Sequence, residues 1–597
     1  MVSAVLLAGV AATAAGWALS LAAGATRTVR SGTALRVGLP GGPLAGVAAA
    51  AAVGLSASTA LALAVPLAIL ASLGVVRALD GVRAEWGVRL RSRFLRGVPW
   101  GSLVSILGVA GFYWVAQGGW AHPNAPLTLP FTSWSYLYPF GVLTAPFAHA
   151  SIGHVTGNLL ATAVYAPLAE YAWSHYPERR GSTVFGSWLE NPYVRAFVVF
   201  PLAVACVAVL TSALAWGPII GFSGVVFAFG AFALTRYPAA TVAATAASGF
   251  ASTLYYALRD PIVVASAGPS YGGPWWAGIA VQGHATGVFV GVLLGALLVA
   301  HRDARPSALR LWGGAVVYAA SVPLYVLWWY RGPGTYVLYR GLGVLFVVAL
   351  ALLVAACVRA GPRALAPRLG LDLSRRQAAA LALCVPLVVT AFVAVPVNLR
   401  TVADTTPQGD AVHVGDYSVT YAENVRNERV GAIDVSFLNE TTNVTASGVI
   451  VSNPRRHIWT EAVSAGRLAF DGRASVTVGG LGWRETVAAN RTGWLTAGGP
   501  TAYRVALRAP NGPWRPVYAS ANATASPTIA GRNVTVSPVG GFSLVVSRAN
   551  ETLGAAPMPT ANATTAAGGL TFVRDGERVR AVRNGTRVTV AARETYA

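Results

Sequence analysis

Three polar clusters interrupt otherwise apolar runs, and each carries side chains that can take part in bond breaking. The first reads His149-Ala-Ser-Ile-Gly-His154-Val-Thr-Gly-Asn158. The second is Gly221-Phe222-Ser223-Gly224, and the third runs from Gly283-His284 through Gly287 and Gly291 to Gly295. A serine hydroxyl is a weak nucleophile until a positioned base takes its proton, and histidine is the commonest base. The sixteen residues from Gly221 to Arg236 rise about 24 Å as a helix, short of the roughly 30 Å hydrocarbon slab. With Arg236 at the inner interface, Ser223 falls below the outer surface. The unpaired N–H groups of that helix start then need water or a bound carbonyl oxygen. A hydroxyl beside free N–H donors in a wet pocket is the geometry that acyl transfer requires.

His284 is the candidate base. Gly283, Gly287, Gly291 and Gly295 recur every four residues, a stripe that lets a neighbouring helix backbone approach closely. If that neighbour starts at Ser223, imidazole and hydroxyl come within hydrogen-bond reach. The nearest acids in apolar segments, Glu170 and Asp260, lie at helix ends, so a dyad is expected rather than a triad. His154 and Asn158 stand four apart and share one helix face. Both carry neutral donors suited to a developing oxyanion, together with the Ser223 backbone N–H.

The elements that must hold these groups follow from composition. Of 597 residues, 54% are apolar and 11% charged, against about a quarter charged in ordinary soluble domains. This is the composition of a polytopic α-helical membrane protein lying in a lipid bilayer. The net charge of +22 suggests nucleic acid until it is mapped. All 44 cations are arginine, and residues 1–400 hold 25 of them against 8 acids, in short loops between apolar runs. No nucleic-acid partner is expected. Cys206, Cys357 and Cys384 sit in apolar runs with no disulfide framework and no zinc spacing. No metal or cofactor is implied.

Runs long enough, or nearly so, to span a membrane lie near 1–22, 44–76, 100–119, 146–172, 194–216, 221–236, 240–258, 278–300, 311–330, 341–358 and 379–397. The run 44–76 is read as one tilted helix, with a hairpin as the alternative. After Arg400, polar residues rise and a period of two appears, as in Ala474–Val478 and Val534–Val536, the mark of half-buried strands. The expected organisation is an N-terminal transmembrane region with a basic cytoplasmic loop (1–98), a catalytic core (99–302), additional transmembrane helices (303–400) and a β-rich extracytoplasmic region (401–597).

Two signals orient the chain. Eight Asn-x-Thr sequons, at Asn439, Asn443, Asn490, Asn522, Asn533, Asn550, Asn562 and Asn584, all follow residue 400. Glycosyl acceptors belong on an extracytoplasmic surface. Threading backwards from an external C-terminal region puts 18 arginines in inner loops and 4 at outer positions, as the positive-inside rule requires. Arg27, Arg30 and Arg36 fall outside if 44–76 is a single span, which the hairpin would cure.

Taken together, the three clusters resemble the rhomboid family of intramembrane serine proteases. The resemblance rests on Gly221-x-Ser223-Gly224, on His154-x-x-x-Asn158 on the second core helix, and on His284 followed by Gly287 and Gly291 on the sixth. It covers roughly 99–302 and implies a six-helix core. In that family the serine attacks the scissile carbonyl, the sixth-helix histidine is the base, and the second-helix pair helps form the oxyanion hole. It further implies that Phe227 stacks on the base and that His149 belongs to the site. The substrates implied are transmembrane proteins, cleaved in or near their spans. The chain departs from the family in its first external loop, which reads Tyr138-Pro139-Phe140-Gly141 where many members carry Trp-Arg, with Trp134 the closest tryptophan. That departure leaves open how the loop is anchored. The resemblance says nothing about the spans after 302 or the β-rich region.

Plainer roles compete. Ser223 could only cap a helix, Asn158 could only join two helices, and Trp275-Trp276 and Trp328-Trp329 fit interfacial belts. A transporter would need charges along a through-path, and a zinc protease His-Glu-x-x-His; neither is present. The main rival is a catalytically silent rhomboid-like protein that binds or escorts membrane clients. Loss of Ser or His would mark it, and both are present.

Overall fold

A computed structural model describes residues 90–174, 191–264, 273–302, 305–332, 335–361, 371–402, 410–428, 445–549 and 551–597, with a few isolated positions and short stretches besides. The run at 1–22, most of 44–76, the loop 77–89 and the sequons Asn439, Asn443 and Asn550 lie outside the described residues.

Nine helices of ten or more residues are described: α1 (Trp100–Ala116), α2 (Ile152–Trp173), α3 (Pro192–Ala213), α4 (Ser223–Leu234), α5 (Pro238–Arg259), α6 (Val281–Ala300), α7 (Ala308–Ser321), α8 (Arg340–Arg359) and α9 (Arg375–Asn398). Four of them, α3, α6, α8 and α9, are long and apolar enough to cross a membrane, at 20 to 24 residues each. The serine helix is shorter than the run that encodes it: it begins at Ser223 and ends at Leu234. The run 311–330 is not one helix. Val322 leaves helical geometry just before Pro323, as the clash of a proline ring with the preceding residue dictates. The aromatic stretch after it forms the hairpin β1 (Trp328–Gly332) and β2 (Thr335–Leu338).

The described chain divides into two compact units. In the first (residues 1–104, 159–202 and 237–269), Glu170 at the end of α2 is buried. Its carboxylate accepts from Gly101 N at 3.2 Å, Ser102 N at 2.8 Å and Ser102 Oγ at 2.8 Å. An anion at the start of α1 satisfies N–H groups that the helix cannot pair and complements its dipole. Arg93 donates to Ser174 O and lies over the Tyr171 ring, and Arg195 lies over Trp173.

The second unit (105–158, 203–236 and 270–597) contains the three polar clusters and all of the β-rich region. Its first antiparallel sheet orders β6-β5-β4-β3, where β3 is Val412–Val414, β4 Tyr417–Arg426, β5 Thr445–Asn453 and β6 Ile458–Ser464. A curled eight-stranded sheet follows, and a second four-stranded one packs beside it. The alternating segments around Ala474–Val478 and Val534–Val536 are the strands Arg473–Gly480 and Asn533–Ser537, with Val476, Val478, Val534 and Val536 buried. Two large apolar cores result, with a smaller cluster around Ile450 and Trp459. One 14-residue strand, Trp483–Thr496, joins them: Val487 and Ala489 enter the first core and Trp494 the second. Within the sheets Arg491 pairs with Glu594 at 2.8 Å and stacks on Tyr503, and Tyr421, Tyr503 and Tyr518 all donate to Glu423. Burial, and then the Glu423 contact, push the Tyr503 phenol above its usual range. Of the described sequons, Asn522, Asn533, Asn562 and Asn584 are exposed and Asn490 is half-buried on the joining strand.

Candidate active site

The site is built where α4 and α6 touch. A Cβ on Gly287 would lie 2.0 Å from the Gly224 carbonyl oxygen, and one on Gly291 2.4 Å from that of Ala228. Only glycine lets the two backbones approach this far. Gly295 meets Thr235 in the same way, whereas a Cβ on Gly283 would find only Ile219, at 3.9 Å. The expected stripe therefore faces α4 along three of its four members. Gly224 itself closes on Thr211 of α3.

This contact brings Ser223 Oγ to 2.9 Å from His284 Nε2. Both side chains are half-buried. The other imidazole nitrogen, Nδ1, is buried with no hydrogen-bond partner among the described residues, so no carboxylate orients the ring. Phe227 does so by contact: its ring centroid lies 4.2 Å from that of His284, with the planes at 78°. Tyr318 of α7 supports that turn of α4, its buried hydroxyl donating to Phe227 O at 3.0 Å and lying against Gly230. Such a pair can transfer the serine proton to the imidazole, with Ser223 and Gly224 as first-turn residues whose N–H groups the helix leaves unpaired.

The first polar cluster faces the same place. Gly221 has φ +123°, in the region that favours glycine. A Cβ there would lie 2.8 Å from His154 Nε2 and 3.6 Å from Asn158 Nδ2. His154 and Asn158, from consecutive turns of α2, thus flank the backbone that leads into Ser223. Asn158 Nδ2 also lies 2.9 Å from His149 Nε2. His149 Nδ1 lies 3.2 Å from Phe147 O. A proton on Nδ1 bonds that carbonyl and leaves Nε2 to accept from the amide. His149 is fully buried and sets the orientation of Asn158. Gln117 in turn holds His149: its Oε1 accepts from His149 N at 2.7 Å and its Nε2 donates to His149 O at 2.9 Å and Leu127 O at 2.8 Å. Gln117 follows the wide π turn Phe112–Ala116 that ends α1.

The loop between α1 and α2 finds its anchor far along the chain. Trp134 is buried among Val412, Tyr417 and Val419 in the first β core. Ser135 Oγ and Tyr136 N donate to Asn398 O at 2.9 Å and 2.8 Å, at the end of α9. The buried Asn398 side chain then donates to Ala215 O at 2.7 Å and accepts from Gly217 N at 3.3 Å. One residue of α9 therefore ties this loop to the 214–222 segment before Ser223. Gly221 N closes the arrangement by donating to Ala145 O at 2.9 Å. Neither Asn398 nor Gln117 nor Tyr318 belongs to a sequence pattern. The one available signal was a polar residue at the end of an apolar run.

No group of three or more His, Cys, Asp or Glu side chains that could hold a metal exists among the described residues. The chain matches no family model, no curated protein and no solved structure. Geometry alone therefore carries the functional argument.

Proposed function

We propose that the protein is an intramembrane serine endopeptidase of the rhomboid type, hydrolysing peptide bonds in or near the transmembrane segments of other membrane proteins. The observation that carries this reading is the 2.9 Å approach of Ser223 Oγ to His284 Nε2, with the His154–Asn158 pair beside the same helix start. In this reading α1 to α6 form a six-helix core, α7 to α9 flank it, and the chain is a multi-pass cell-membrane protein with residues 401–597 extracytoplasmic.

The chemistry follows from the pairing. His284 Nε2 takes the Ser223 proton as Oγ attacks the scissile carbonyl carbon. The resulting oxyanion is met by the Ser223 N–H and by the His154 and Asn158 side chains. His284 then gives the proton to the leaving amine, leaving an ester on Ser223 that water cleaves by the reverse proton route. Phe227 limits rotation of an imidazole that has no acid behind it.

The deciding experiment is labelling by a fluorophosphonate serine probe, together with cleavage of a transmembrane reporter. Wild type should label and cleave. Ser223→Ala should do neither while keeping its expression and thermal stability. Equal turnover in the two would end the protease reading and leave the client-binding alternative.

A further inference from the structure

The loop that leads into α6 ends in a helical turn, Trp275–Gly278, two residues before the helix that carries His284. This turn, the β1–β2 hairpin and the first β sheet enclose an open cleft of about 640 Å³, within the usual range for ligand sites of roughly 300–1,000 Å³. Trp275, Gly278, Trp328, Tyr336, Thr445 and Glu461 are among the residues that line it. Trp276 packs on both Trp328 and Tyr336, with centroids 6.2 Å apart in each case, so the aromatic wall is stiff. Trp275 keeps 70% of its surface exposed and is free to meet a ligand. Glu461 is the one charged side chain among the described residues lining the cleft, in a chain with 44 cations and 22 acids. It sits at the bulge where β6 departs from its register with β5, its carboxylate accepting from Ser447 N at 3.1 Å.

A carboxylate in one cleft with an exposed indole, Trp275, and the half-buried rings of Trp328 and Tyr336 makes a surface that recognises an alkylammonium or guanidinium group, by charge and by cation–π attraction. The cleft also adjoins the start of α6, and from Val281 the helix rises only about 5 Å to reach His284. We propose that it docks the extracytoplasmic juxtamembrane segment of a membrane-protein substrate through a Lys or Arg side chain, presenting the following span to Ser223. This rests on the protease reading.

The test uses the full chain in lipid nanodiscs and a transmembrane reporter with one juxtamembrane lysine. Binding is read on Ser223→Ala, apart from cleavage, with a carbodiimide that joins a carboxylate to an amine in contact. The chain has no lysine of its own, so a cross-linked peptide pair that joins one of its carboxylates to a lysine of the reporter identifies the added amine. The expected product joins Glu461 to the reporter lysine. It should vanish in Glu461→Gln, which keeps an acceptor for Ser447 N–H. In the active chain Glu461→Arg should raise KM for this reporter about five-fold with kcat unchanged, the size expected of a solvent-exposed charge pair. Replacing the reporter lysine by glutamate should reverse the preference. A cross-link confined to other carboxylates, or a KM indifferent to both charge reversals, would overturn the proposal. Should wild type cleave no better than Ser223→Ala, the protease reading fails, and the Glu461 cross-link alone then upholds or overturns the cleft as a docking site.

Discussion

Gly287→Ala offers the sharpest probe of how the proposed Ser223–His284 dyad is assembled. The added Cβ would sit 2.0 Å from the Gly224 carbonyl oxygen, whereas carbon and oxygen approach no closer than about 3.3 Å. The obstacle is backbone on a helix, so it cannot rotate away as a side chain would. The two helices must separate locally by about 1 Å, and the contact lies one residue from Ser223 and three from His284. The 2.9 Å hydrogen bond between Oγ and Nε2 would then stretch beyond the distance at which such bonds act. A misplacement of about 1 Å costs roughly 10²-fold in rate. We expect kcat and the rate of fluorophosphonate labelling to fall by about that factor, with KM changing little. Gly283→Ala is the matched control: it lies on the same stripe, but its Cβ would meet only Ile219, at 3.9 Å, and it should keep near-wild-type rates. Both variants should be measured in parallel with thermal unfolding in detergent. Full labelling by Gly287→Ala, or an equal loss in Gly283→Ala, would refute the claim that this helix contact sets the dyad distance.

Four further outcomes follow from the same geometry. Ser223→Ala and His284→Ala should each abolish reporter cleavage, and the double variant should be no worse than either, because nucleophile and base act as a unit; additive losses in single-turnover assays would count against the dyad. Asn158→Ala should slow cleavage by less than the roughly 10²–10³-fold of a lone oxyanion donor, since in the proposed mechanism His154 and the Ser223 N–H share the charge. A fall in stability proportional to the fall in kcat would make Asn158 helix glue instead. Asn398→Ala leaves Gly217 N–H and Ala215 C=O without their partner, a cost of about 1–3 kcal/mol, and should also slow serine labelling. Asn398→Asp, which keeps the acceptor for Gly217, should recover part of that labelling, and an unchanged rate in the alanine variant would limit Asn398 to closing α9. In a cysteine-free background, a cysteine at Asn533 should react with an impermeant reagent on intact cells, while one at Arg91 should react only after lysis; the opposite pattern would invert the proposed orientation.

Much of the candidate site was legible in one dimension. Ser223, His284, His154 and Asn158 announced themselves because polar groups in apolar runs are costly and stand out, and because the four-residue glycine period fixes a helix face whatever its partner. That face does meet the serine helix, through Gly287, Gly291 and Gly295. The β-rich character of the region after Arg400 followed as directly, since alternation at Val476–Val478 and Val534–Val536 has only one regular backbone that satisfies it. Other features depended on contacts between distant positions, which no local period encodes. The break at Pro323 turned an apolar run into a short helix and a hairpin. His149 became the partner of Asn158 only when the loop before α2 folded back, and Gln117 holds it there from the end of another helix. The anchoring of the loop between α1 and α2 was beyond any local signal: Asn398 lies 263 residues from Ser135, and Trp134 enters a core whose other buried members begin at Val412. Local spacing determines which side chains share a face; which face meets which is decided by burial and by the pairing of backbone groups between distant segments, and only the folded chain makes that choice.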